Sequence, residues 1–226
     1  MPLILSLETA TTNCSVALAS DGKVIATRSI NSGYSHAEKI TVFIQEVIDQ
    51  ANVSLKQLSA IAVSSGPGSY TGLRIGISTA KGLCYALDLP LIAINTLDAM
   101  ANGMKAGSNE LLVPMIDARR MEVYSAVYDG EQKRLSESAA IIVDEHYYSD
   151  FRSTNKLLLA GDGADKCQEL FQSEPSIKIQ PSFMPQAEFM ATLAEKKFLN
   201  SEFENVALFE PFYLKEFVGG PKKLNS

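Results

Sequence analysis

The sequence has no tryptophan and, among its 226 residues, only two histidines and three cysteines. Cys14, Cys84 and Cys167 are odd in number, scattered, and form no CxxC pair. That argues against both a disulfide framework and a zinc knuckle. A reducing, cytoplasmic setting is the expectation. His36 and His146 stand far apart, and neither comes with the suitably spaced acid partner a catalytic base needs. His36 therefore reads as structural or as part of an interface, and His146 as a surface or loop residue. Basic excess is also missing: 20 Lys and Arg face 26 Asp and Glu, for a net charge of −6 and a pI near 5.0. Autonomous nucleic-acid binding rests on neutralising phosphates, so this balance argues against it, although it does not exclude a role beside an RNA-binding partner. No apolar run reaches the length of a membrane span. The opening MPLILSLETATT has no basic n-region, so no signal peptide is expected. There is no G-x-S-x-G elbow to turn Ser64, Ser65 or Ser69 into a hydrolase nucleophile.

What is present is a chain that is 46% hydrophobic, long enough for one large domain or two small ones. Its most distinctive stretch is SSGPGSYTGLRIGISTAKGL, Ser64–Leu83. Gly72, Gly76 and Ala80 recur every four residues, as do Ser78, Gly82 and Ala86, so each set forms one stripe of a helix. Glycine inside a helix costs about 1 kcal/mol relative to alanine, so the stripes imply close approach by another backbone. The loop GPGSYTG reads either as an anion cradle at a helix N-terminus or as a tight turn capped by Ser69 or Thr71. It lacks the Gly-Lys-Ser/Thr ending of a P-loop.

Two segments share a grammar. Leu3–Ile25 and Leu112–Leu135 each run from an apolar strand ending in an acid (Glu8, Asp117), through a polar turn, to a second strand ending in Asp-Gly and then a third. Asp-Gly is a strong hairpin signal because both residues tolerate positive φ. Ser35–Ala51 follows the first meander, with Ile40, Phe43, Ile44, Val47, Ile48 and Ala51 on one face and a capping box from Ser35 and Glu38. Strands at Ala60–Ser64 and Pro90–Asn95 and a helix from Thr96 to about Lys105 complete this half. The second half continues with a strand at Lys156–Ala160 and helices at Ala164–Gln172 and Pro185–Asn200. The expected organisation is α/β: an N-terminal lobe over 1–106, a smaller C-terminal lobe over 107–226, and a mobile tail from about residue 218. In two lobes of ribonuclease-H-like type, Glu8 and Asp117 would face a cleft.

The segments ILSLETAT, SSGPGSYTGLRIGISTAKGL, PMIDARRMEVYSAVY and EPFYLKE resemble the TsaB family, also called YeaZ, bacterial proteins of threonylcarbamoyladenosine biosynthesis in tRNA. The resemblance covers essentially the whole chain and is strongest from Leu3 to Tyr128. It implies two ribonuclease-H-like lobes of the actin-like ATPase (ASKHA) superfamily. It also implies a non-catalytic scaffold that pairs with a TsaD-like transferase and a TsaE-like ATPase, forms a homodimer when alone, and meets tRNA only through the complex. TsaD-like proteins carry a His-x-x-x-His metal motif. The matching INTLDAMANG puts Thr96 and Met100 at those two positions, and neither suits a hard metal. No metal and no cofactor are therefore expected, with weak, vestigial nucleotide binding at Glu8, Thr9 and Asp117 as the one exception. GDGADK, Gly161–Lys166, stands near where an adenosine motif would lie, but Asp162 and Asp165 would repel a phosphate. The expected contact surface for the partner is the Gly72/Gly76/Ala80 stripe with Lys39, Phe43 and Arg74. The rival reading is an actin-like-fold ATPase or phosphotransferase acting alone.

Overall fold

The computed structural model describes residues 1–31, 33 and 36–215. Its first sheet has the order β3-β2-β1-β4-β5, from β1 (Leu3–Glu8), β2 (Asn13–Ser20), β3 (Lys23–Asn31), β4 (Ala60–Gly66) and β5 (Leu91–Asn95). β1 pairs antiparallel with β2 and parallel with β4. The β2–β3 turn places Asp21 and Gly22 at φ 48° and 68°, as the Asp-Gly signal requires.

Alternation along β1 sends Leu5 and Leu7 to one face and Ile4 to the other. On the first face lie α1 (His36–Gln50) and α2 (Tyr70–Leu87), and Ile40, Phe43, Ile44, Val47 and Ile48 are all buried there. On the other face Ile4, Ala62 and Ile92 meet Ala99 of α3 (Thr96–Gly103). Ala187, Met190 and Ala194 pack there too, from a 3₁₀ turn (Ala187–Met190) and α7 (Ala191–Leu199), the latter numbered after the second sheet's helices.

The second sheet has the order β10-β9-β6-β7-β8, which is the order of the first with β6 in the place of β1. It comprises β6 (Glu110–Asp117), β7 (Glu122–Ser125), β8 (Ala139–Ile142), β9 (Lys156–Ala160) and β10 (Ile177–Gln180). Its own helices are single turns: α4 (Ser149–Arg152), α5 (Asp162–Asp165) and α6 (Gln168–Phe171). α3 is shared between the sheets, since Leu97, Met100, Ala101 and Met104 pack with Leu112, Ile116, Leu158 and Phe183. Among the described residues no helix is long and apolar enough to cross a membrane.

Four expectations need correcting. The third strand of the second meander does not follow Asp129-Gly130; there Tyr128 bridges Arg134 in a tight loop, and β8 comes later. The helix expected over Ala164–Gln172 is split into α5 and α6, and the one expected from Pro185 begins as a 3₁₀ turn. The division at 107–226 also differs from the packing, because residues after Pro185 return to the first sheet. The Ser35 capping box and the tail from 218 lie outside the described residues.

Residues 203–215 form a strap along the first unit. Glu204 bridges the edge strand at Leu91, and the Lys81 ammonium donates to the carbonyls of Ala207 and Phe209 at 3.1 Å each. The Phe212 N–H donates to the Ser65 carbonyl at 2.7 Å. Tyr213 then stacks on Tyr70, its hydroxyl accepts from Arg74 Nε at 3.2 Å, and Arg74 itself lies 4.0 Å over the Tyr70 ring. Lys215 ends the strap in an ion pair with Glu122 of β7.

Candidate functional sites on helix α2 and the strand turns

The loop before α2 is a capped turn. The Ser69 side chain accepts from the Gly72 N–H at 3.2 Å, and the Ser69 N–H donates to the Ala10 carbonyl at 2.6 Å. A Cβ on Gly68 would run into Ala10, and one on Gly66 (φ 112°) into the Phe212 carbonyl. Both glycines thus pack directly against neighbouring backbone.

The two small-residue stripes of α2 face opposite ways. A Cβ on Gly72 would overlap the Thr9 carbonyl, and one on Gly76 would overlap the Thr9 hydroxyl. Ala80 is fully buried. The spacing was right that a backbone approaches closely, but that backbone is the β1–β2 turn of the same chain. Gly72, Gly76 and Ala80 are therefore core, which corrects their assignment to a partner surface. Phe43, only 9% exposed, is core as well, and Lys39 is half-buried. Arg74 is exposed as expected. The second stripe stays outside: Ser78, Gly82 and Ala86 are exposed, no atom of the described residues lies within 4 Å of a Cβ on Gly82, and Tyr85 is 89% exposed.

Glu8 and Asp117 occupy equivalent strand ends but sit in different chemistry. Glu8 is fully buried. Its Oε1 accepts from the Ala10 N–H at 2.6 Å and from the Ser64 hydroxyl at 3.0 Å, while Oε2 has no partner among the described residues. Loss of hydration raises its pKa from 4.5 to about 7, against the hydrogen bonds that lower it. Thr9, also buried, donates its hydroxyl to the Gly72 carbonyl at 2.8 Å, which locks the turn onto α2. Asp117 is exposed, accepts from the Arg119 N–H at 2.8 Å and pairs with Lys166. Asp162 accepts from the Asp117 N–H at 2.9 Å, so GDGADK closes on the second turn. Arg119 and Arg120 are exposed with φ of 73° and 54°. Thr96 and Met100 are both fully buried; Met100 packs into the cluster between the sheets, and its methyl closes on Gly161. His36 is buried, and burial lowers its pKa; His146 is exposed beside Glu145. Among the described residues no three His, Cys, Asp or Glu side chains gather as a metal site.

Two networks were not visible in the sequence. One is the strap cluster of Tyr213, Arg74 and Tyr70. The other joins the two units: Asp98 Oδ1 accepts from Arg134 Nη2 at 2.6 Å, Arg134 Nε at 3.1 Å and the Tyr128 hydroxyl at 2.8 Å. Each gathers residues too distant in sequence for any local pattern to mark.

Two mixed sheets of one connection order, with an acid at the end of each leading strand, define an α/β protein. The activator of 2-hydroxyisocaproyl-CoA dehydratase from Clostridium difficile shares this fold, with a TM-score of 0.51 at 10% identity over 90% of this chain and 98% of that one. The family described as tRNA N6-adenosine threonylcarbamoyltransferase, TsaD, matches residues 30–217. The Escherichia coli tRNA threonylcarbamoyladenosine biosynthesis protein TsaB is 33% identical over 97% of each chain. A Pseudomonas aeruginosa structure, described as similar to the peptidase YeaZ, superposes with a TM-score of 0.83 at 29% identity, covering 95% of this chain and all of that one. The chain belongs to the TsaB (YeaZ) family of tRNA threonylcarbamoyladenosine biosynthesis proteins.

Proposed function

We propose that the chain is a non-catalytic subunit of tRNA threonylcarbamoyladenosine synthesis, built as two ribonuclease-H-like lobes. It pairs with a TsaD-like transferase and works with a TsaE-like ATPase. The observation that carries this reading is the state of α3. Where the transferase family bears its histidine pair, this chain has Thr96 and Met100, both fully buried, with Met100 in the apolar layer between the sheets. Threonine is a poor ligand and methionine prefers soft metals. Glu8 points the same way: a fully buried carboxyl with a raised pKa is poorly placed to hold a nucleotide-bound cation.

The partner face is the outer ridge of α2, from Arg74 through Ser78 and Gly82 to Tyr85, flanked by the exposed Val42 of α1. Small residues there let a second helix come close, and the aromatic ring supplies an anchor. The same ridge serves a homodimer when the chain is alone, and tRNA is met through the assembly.

The test is threonylcarbamoyl transfer to tRNA in a reconstituted mixture of the transferase and ATPase partners, with and without this chain. Modification that depends on the chain, and is lost with Gly82→Arg while folding is retained, supports the proposal. Full modification without the chain refutes it.

A further inference from the structure

We infer that the cavity between α3, α7 and the 128–134 loop is a binding site for a small organic anion. The cavity is half open to solvent and offers about 360 Å³, near the lower end of the range for small-molecule pockets, which suits a single-ring ligand. It opens on the α7 side of the first sheet, away from the α2 ridge, and so lies outside the proposed partner contact.

The loop that forms one wall is built to hold its shape. Tyr128 bridges Arg134, Asp129 Oδ1 accepts from the N–H groups of Glu131 and Lys133 at 2.9 Å each, and Gln132 takes a positive φ of 64°. The Arg134 guanidinium reaches across to Asp98 and, at 3.2 Å, to Asn95 Oδ1, which pins the loop to the first sheet.

The sum of charges favours an anion. Arg134, Lys196 and Lys197 line the cavity against Asp98 and Glu202, a local excess of one positive charge in a chain of net −6. Asp98 is matched by Arg134, and Lys197 donates to the Ala93 carbonyl at 2.9 Å. Among the described residues the ammonium of Lys196, an exposed residue, makes no hydrogen bond or ion pair, and neither the exposed Gln132 carboxamide nor Asn95 Nδ2 has a partner. The unused groups at this wall thus include an ammonium and two amide donors. Ile94 and Leu193 supply the apolar surface on which the body of a ligand would rest. A carboxylate and a phosphate monoester share the required chemistry.

The experiment titrates the ¹⁵N-labelled full chain with benzoate and, separately, phenyl phosphate, through the millimolar range expected of fragment-sized ligands. Saturable shifts at the amides of Asn95, Gln132 and Leu193 are expected. Lys196→Gln should weaken them about tenfold, the scale of one charge-assisted contact. Leu193→Trp, which fills the cavity, should abolish them, and Lys178→Gln, at an exposed lysine of β10, should change nothing. Saturation by one probe alone identifies which anion the site takes. Shifts that never saturate, or that persist undiminished in Lys196→Gln, overturn the inference. If Leu193→Trp fails to fold, Lys196→Gln decides alone.

Discussion

The two sheets have one connection order and different equipment. The first carries helices of 15 and 18 residues on one face, whereas the second is covered by four-residue turns. The first buries the acid at the end of its leading strand; the second leaves its acid exposed in an ion pair. Duplicated topology therefore does not mean duplicated chemistry. The first unit has sealed its strand turn against α2 and freed the outer face of that helix. The second keeps a looser, solvated turn closed by Lys166 and Asp162.

The largest effect should come from α2. Gly72→Leu drives a side chain into the Thr9 carbonyl and should cost at least about 3 kcal/mol, the upper range of overpacking. Gly82→Leu, in open space, should leave stability level or raise it by up to about 1 kcal/mol through helix propensity. Urea unfolding of the pair reads both, and equal losses would mean that the two stripes are not inside and outside.

Next comes Glu8. Its folded-state pKa of about 7 lies above the unfolded 4.5, so the folded chain holds the proton more tightly. The stability this gives is complete below about pH 4.5 and is lost as pH rises through 7, a change of about 3 kcal/mol at full extent. Glu8→Gln should remove that loss, gaining on the wild type at pH 8 relative to pH 5. Urea unfolding of both proteins at the two pH values checks this, and no relative gain would mean that Glu8 does not set the loss.

The link between the units is worth less. Asp98→Ala strips the partner from Arg134 and from the buried Tyr128 hydroxyl, and should lower stability by about 2 kcal/mol. A thermal scan should show whether the units then melt separately. Smallest is Lys166→Ala, which removes a half-exposed pair and should cost under about 1 kcal/mol. A larger loss would show that the second turn is as tightly built as the first.

Much of the first unit was legible in the sequence because its signals are local. The Asp21-Gly22 turn, the five buried apolar positions of α1 and the Ser69 cap each depend on spacing within a few residues. The glycine stripe of α2 announced close approach, but helical period marks a face and not the neighbour that meets it. The raised pKa of Glu8 depends on what surrounds the end of β1, which no motif states. The strap was least legible: its hold on Ser65 and Lys81 runs through backbone groups that carry no sequence mark. In the second unit the Asp-Gly signal misled, because Tyr128–Arg134 closes a loop where the first unit makes a hairpin.

The strap also sets an order of events at the ribosome. The last strand of the first sheet is complete at Asn95, yet that sheet still lacks Met190 and Ala194 on one face and Phe209 on the other. Chains emerge N-terminus first, and domains generally fold as they appear. Here the earliest unit to be synthesised is completed only by residues made after the whole second sheet.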